Sequence, residues 1–103
     1  MDIKQPTTVR SVNPETLRHA AEVIKLLGHP ERLQIVEVLE FNQGTVTEIQ
    51  EILGMPQAKV SQHLAKLRGA GVVAAERDGV HVQYRVIEPK VHKILDCIRH
   101  CES

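Results

Sequence analysis

Apolar positions recur along this chain with two periods, first near 3.6 and later near 2, and the change marks where helices give way to a hairpin. Leu17, Ala20, Ala21, Ile24, Leu26 and Leu27 predict a first helix. Asn13-Pro14-Glu15 opens it with a cap, a proline suited to the first position and an acid at the positive dipole end, and Gly28 stops it. His29-Pro30 opens a second helix, in which Leu33, Ile35, Val36, Val38 and Leu39 run on to Phe41 before Asn42-Gln43-Gly44 turns the chain. A third helix is expected with Thr47 as its cap and with Ile49, Ile52 and Leu53 facing inward, up to Gly54. Leu53-Gly54-Met55-Pro56 then leads directly into a fourth helix, the order of a helix-turn-helix.

The fourth helix buries Val60, Leu64 and Leu67 at i, i+4 and i+7, with Pro56 expected in its first turn and Gly69 and Gly71 as stop signals. Val72-Val73-Ala74-Ala75 reads as a short strand, Arg77-Asp78-Gly79 as a hairpin turn. Val80, Val82, Tyr84 and Val86 alternate with His81, Gln83 and Arg85 in a second strand. Pro89 starts a last helix with Val91, Ile94, Leu95 and Ile98 as its stripe. Residues 1–12 lack periodicity and are expected as an arm; 13–103 form one folded unit. The expectation is a mainly α protein with a small β-hairpin wing, in the order α-α-α-α-β-β-α.

At about 100° per residue, the side of the fourth helix away from its stripe carries Ala58, Lys59, Gln62, Ala65 and Lys66, with His63 at its edge. Small residues let a helix backbone approach a groove floor, Gln62 can read a base edge with two hydrogen bonds, and the lysines can reach bases or phosphates. By itself such a face is equally an ordinary solvated one. The hairpin shifts the balance, because Arg77, His81, Gln83 and Arg85 on its polar face and turn suit a phosphate backbone.

Charge points to the same place. The chain is formally neutral, with 13 basic and 13 acidic residues among 103. Yet residues 56–85 carry Lys59, Lys66, Arg68, Arg77 and Arg85 against only Glu76 and Asp78, while residues 1–55 are net acidic. A neutral monomer offers few phosphate contacts, so pairing two copies would double them. With one Phe, one Tyr and no Trp, the core has to be aliphatic, and a core this small gains from burial against a second copy. No apolar run is long enough to span a membrane, and two Cys near the C-terminus make no disulfide framework, so a reducing cytoplasm is expected. No nucleophile–base pair, phosphate-cradling Gly loop or complete metal motif speaks for an enzyme. A winged helix used only for protein–protein contact is the competing class. It would not need the basic, small-residue face of residues 58–66.

From about Ala20 to Ile87 the chain resembles the ArsR/SmtB family of bacterial winged helix-turn-helix repressors. The resemblance is carried by Leu26-Leu27-Gly28-His29-Pro30-Glu31-Arg32-Leu33, Val60-Ser61-Gln62-His63-Leu64-Ala65-Lys66-Leu67-Arg68, Ala70-Gly71-Val72-Val73, and Arg77-Asp78-Gly79 followed by Tyr84-Arg85. It implies a homodimer in which first and last helices pair across the two-fold. It also implies binding to an inverted-repeat operator in double-stranded DNA that an inducer relieves. By the family pattern, Gln57, Lys59, Ser61, Gln62 and His63 would face the operator.

The family's metal patterns are not matched. Thr45 and Thr47 stand where many relatives carry a thiolate pair at the third helix. Glu88 and Lys90 fall at the first ligand pair of the zinc site between last helices, with Cys101 near its third ligand, and lysine is a poor zinc ligand at neutral pH. The remaining candidates on the last helix are His92, Asp96, Cys97, His100 and Cys101, with Cys97 and Cys101 four apart on one helical face and His100 beside Cys101. Two soft thiolates suit a thiophilic metal or metalloid ion, and two exposed thiols could instead sense an oxidant or reactive sulfur. The other reading makes them small buried hydrophobes, since Cys101 lies three residues beyond Ile98 in the apolar stripe.

Overall fold

The structure, a computed structural model, describes residues 11–102. Most of the expected arm therefore lies outside the described residues. The elements run α1 (Pro14–Leu27), α2 (Pro30–Leu39), α3 (Val46–Leu53), α4 (Gln57–Gly69), β1 (Val73–Asp78), β2 (His81–Val86) and α5 (Pro89–Cys101).

Helix starts follow local side-chain chemistry. Asn13 Oδ1 accepts from the Glu15 N–H at 2.8 Å, and His29 Nδ1 accepts from the Glu31 N–H at 3.2 Å. The α3 cap is Thr45 rather than Thr47. Thr45 Oγ1 accepts from the Glu48 N–H (3.1 Å) while the Glu48 carboxylate accepts from the Thr45 N–H (2.8 Å). Gln50 gives Thr47 the same spacing, so the pattern fits both threonines, and it is Thr45 that the Glu48 side chain reaches. Gly54 ends α3 in the left-handed region at φ 68°. Pro56 sits just outside α4, extended at φ −59° and ψ 142°, so the first turn begins one residue later than expected.

The core is aliphatic and central. Ile35, Val36, Ile49, Val60, Leu67, Val72 and Val91 are fully enclosed, joined by Val23, Leu27, Leu39, Met55, Leu64, Val73 and Leu95. One expected inward residue is not inside, Ile52 at 65% exposed, and Phe41, beyond the end of α2, is 78% exposed. On α3 only the Ile49–Leu53 row meets the body, so Ile52, one position around the helix, stays outside.

The hairpin is antiparallel, with Val73 opposite Val86, Arg77 opposite Val82 and Asp78 opposite His81. Its loop is therefore Gly79-Val80, two residues, not Arg77-Asp78-Gly79. Gly79 has φ 67° and no non-glycine described here has positive φ, the pattern of a loop strained only at its first position. Val80 belongs to the tip, 87% exposed, and not to the apolar face of β2. Gly44 adds a third rung: its N–H donates to Tyr84 O at 2.9 Å and its carbonyl accepts from the Tyr84 N–H at 2.7 Å. The wing is thereby fastened to the segment before α3.

Candidate nucleic-acid interface

α4 follows directly from the α3 turn and exposes Gln57, Ala58, Lys59, Ser61, Gln62, Ala65 and Lys66 along one side. The helix carries no acid along its length. This is the arrangement expected of a groove-reading helix: small residues for close approach, amide and hydroxyl groups for base edges, cations for phosphate.

His63 departs from expectation. It is 8% exposed and turned against α2. Arg32 Nε donates to its Nδ1 at 3.3 Å, which leaves the Nε2–H to donate to Glu31 Oε1 at 3.1 Å. The His29 ring packs edge-on against it, with centroids 4.8 Å apart. Arg32 itself is anchored through a 3.1 Å bond to Leu26 O. His63 thus holds α4 to α2 and does not extend toward solvent. The reason is that the buried arc of α4 is wider than its Val60, Leu64, Leu67 stripe, because the polar start of α2 packs beside it.

Glu31 is the residue that sequence reading passed over. One carboxylate oxygen takes His63, and the other accepts from Lys59 Nζ at 3.2 Å. The hydrogen bond from His63, then that from Lys59, hold its carboxyl below the usual range, against a smaller opposing effect of burial. No local signal announces this, since its partners lie 28 and 32 residues away. His29, Glu31 and His63 bring potential metal-ligand atoms within 4.8 Å of one another. Their hydrogen bonding opposes a metal, however. Both rings accept at Nδ1, so both carry their proton at Nε2, the nitrogen a metal would need, and the Lys59 ammonium lies alongside.

The wing does not collect its cations on one face. Residues directly opposite in an antiparallel pair share a face, so Arg77 lies with Val82, while His81, Gln83 and Arg85 lie with Asp78, Glu76 and Ala74. The first face, which also carries Val73, Tyr84 and Val86, packs on the core, and the second is the outward one, with His81, Arg85, Glu76 and Asp78 exposed. His81 and Gln83 line a groove with Thr45, Thr47 and Glu48, and Arg85 lines another with Leu39, Glu40 and Phe41. Arg77 sits next to the tip and is exposed. Two acids thus offset the one arginine on the face that was expected to be basic.

Cys97, His100 and Cys101 are all exposed on α5, and both cysteines are free thiols. They are not the small buried hydrophobes of the competing reading within this single chain. Ile98 between them is 46% exposed, and α1 exposes Leu17 (54%) and Ile24 (59%). α5 is tied to the body by carboxylates at both ends. Glu88 caps it and meets His19 Nε2 at 2.7 Å, while Glu40 meets His92 Nδ1 at 3.0 Å and Arg99 at 2.6 Å. Among the described residues no helix is long and apolar enough to cross a membrane.

Comparison with known proteins agrees with this geometry. The family model described as bacterial regulatory protein, arsR family, matches residues 29–75, which span α2 through the start of β1. The chain is 42% identical over 81 residues to the transcriptional repressor PagR of Bacillus anthracis, covering 78% of this chain and 81% of that one. It is 41% identical over 87 residues to the HTH-type transcriptional repressor SmtB of Mycobacterium tuberculosis, covering 84% of this chain and 64% of the relative. The crystal structure of PagR superposes with a TM-score of 0.75 over 84% of this chain and 99% of that one, at 39% identity. HlyU of Vibrio cholerae superposes at 0.80 over 87% and 98%, at 27% identity. With a helix-turn-helix, a two-stranded wing and these relatives, the chain belongs to the ArsR/SmtB family of winged helix-turn-helix transcriptional regulators.

Proposed function

We propose that the protein is a homodimeric repressor that binds an inverted-repeat operator and releases it when an inducer acts at α5. The observation that carries the DNA reading is the acid-free outer side of α4, with Gln57, Ala58, Lys59, Ser61, Gln62 and Lys66 exposed in one row. Arg77 beside the wing tip serves as a phosphate anchor, with His81 and Arg85 in lesser roles because they share the other face of the hairpin with Glu76 and Asp78. His63 acts from inside, by holding α4. The role of the protein is regulatory, not catalytic, and it works in the cytoplasm.

What supports a dimer is apolar area left open on α1 and α5, through Leu17, Ile24 and Ile98. Such area is unfavourable in water by about 25 cal/mol per Å² and is covered if two copies pair there. Pairing sets the distance between the two α4 helices, which has to match one turn of duplex, roughly 34 Å. Cys97 and Cys101, with His100 beside them, are the proposed sensor, for a thiophilic metal or metalloid ion or for a reactive sulfur or oxidant. The support for this is that both thiols are free, exposed and one turn apart on the helix that would form the interface. The decisive experiment is selection of bound duplexes from a random pool, repeated with arsenite, Zn(II) and a persulfide donor. A symmetric enriched sequence, lost with one of these agents, is the expected result. An unenriched pool would overturn the proposal.

A further inference from the structure

Lys59 stands in the first turn of α4, where a cation is opposed by the positive end of the helix dipole. α4 has no acid in its first turn and no side-chain cap to offset this. Glu31, from the first turn of α2, takes that place. It reaches across to Lys59 Nζ at 3.2 Å and to His63 Nε2 at 3.1 Å, two residues one turn apart on α4. An exposed lysine–carboxylate pair is weak in itself, and the Lys59 side chain is 51% exposed. What matters is that Glu31 is fixed. Its second oxygen is occupied by the buried His63, its own N–H is bound by His29, and its charge suits the start of α2.

We infer that Glu31 is a specificity-determining residue, which withholds Lys59 from phosphates and leaves it for base edges. The inference rests on the DNA-binding reading above. Non-specific affinity comes from cations that displace counterions from the duplex. A lysine that carries its own fixed carboxylate brings no net charge to that exchange. If its ammonium leaves for a phosphate, Glu31 is left facing the same phosphate. A hydrogen bond from Lys59 to a base acceptor needs no net charge and survives the pairing. Glu31 therefore lowers binding to arbitrary sequence more than binding to the operator. A carboxylate held below its ordinary pKa stays ionised at neutral pH, as this role requires.

The test uses a random-sequence duplex titrated with wild type, Glu31→Gln, Lys59→Gln and the double variant, over about 50 to 200 mM salt. Glutamine still accepts the His63 Nε2–H, so the α2–α4 contact is retained. Glu31→Gln should steepen the salt slope by about 0.9 per protomer, the value of one phosphate contact, and the double variant should lose that gain. Lys59→Gln alone, which leaves Glu31 in place, should change the slope far less. Equal slopes for wild type and Glu31→Gln overturn the inference, as does a full phosphate's loss of slope in Lys59→Gln. Wild type that shows no salt-dependent binding at all would instead remove the DNA reading, and the inference with it.

Discussion

The Arg99 guanidinium donates to the Glu40 carboxylate at 2.6 Å, joining the last helix to the end of α2 across 59 residues of sequence. The Glu40 side chain is 1% exposed and also meets His92. Its neighbours, Arg99 foremost, hold its carboxyl below the ordinary value of 4.5 although burial works the other way. A carboxylate with a depressed folded-state pKa contributes stability above its unfolded value and loses it as pH falls toward the folded one. Urea midpoints should therefore drop as the medium is acidified below about 4.5, with Glu31 and Glu88 contributing in the same sense. Glu40→Gln should lower the midpoint at neutral pH and flatten part of that acid limb. An acid limb as steep as in wild type would show that the Glu40–Arg99 pair does not control it.

Gln62 and Arg77 should fail differently when removed. Gln62→Ala should cost on the order of 1–3 kcal/mol per half-site on the selected operator and relax its base preference, because a bidentate base contact is lost. Arg77→Ala should weaken all duplexes alike and flatten the salt slope. Arg85→Ala should do so less, since Arg85 lies opposite Ala74 near the base of the hairpin and beside Glu40 and Phe41. Equal losses for the two arginines, measured by fluorescence anisotropy, would place the anchor elsewhere on the wing.

Introducing charge on the open apolar face should separate the copies. Ile24→Glu and Ile98→Glu each place a carboxylate on area that pairing would bury, and both sites are about half exposed, so the single chain should still fold. Sedimentation should show the unmodified protein as a dimer at micromolar concentration and either variant shifted to monomer. Circular dichroism should be unchanged and operator affinity reduced. A unmodified chain that sediments as a monomer under those conditions removes the dimer from the proposal.

Replacing both thiols should uncouple release from binding. Neither Cys97 nor Cys101 lies on α4 or the wing, so the Cys97→Ser, Cys101→Ser double variant should bind the operator as the parent does. Arsenite, Zn(II) or a persulfide donor should then no longer release it. An inducer acts only through its different affinity for the two dimer geometries. Undiminished release in the double variant would move the sensor away from α5.

The order of elements was legible in the sequence because it depends on neighbours three or four positions away. Pro14, Pro30 and Pro89 mark three helix starts, Gly28 and Gly54 mark two ends, and the spacing of Val60, Leu64 and Leu67 sets the buried side of α4. The acid-free outer row of α4 follows from the same spacing. The α3 cap was not legible, since Thr47 with Gln50 fits the same pattern as Thr45 with Glu48, and the structure places the cap at Thr45. What lay beyond local pattern was decided by packing. His63 turns inward because the start of α2 arrives beside it with Glu31 and Arg32, and Ile52 remains outside because nothing packs over it. Arg77 parts from His81 and Arg85 because the loop is Gly79-Val80, and shortening a loop from three residues to two exchanges the faces that pair across a hairpin. The links Glu31–Lys59 and Glu40–Arg99 join residues 28 and 59 apart. No periodicity records such distances; they exist only once the hydrophobic core has fixed where each helix lies against the next.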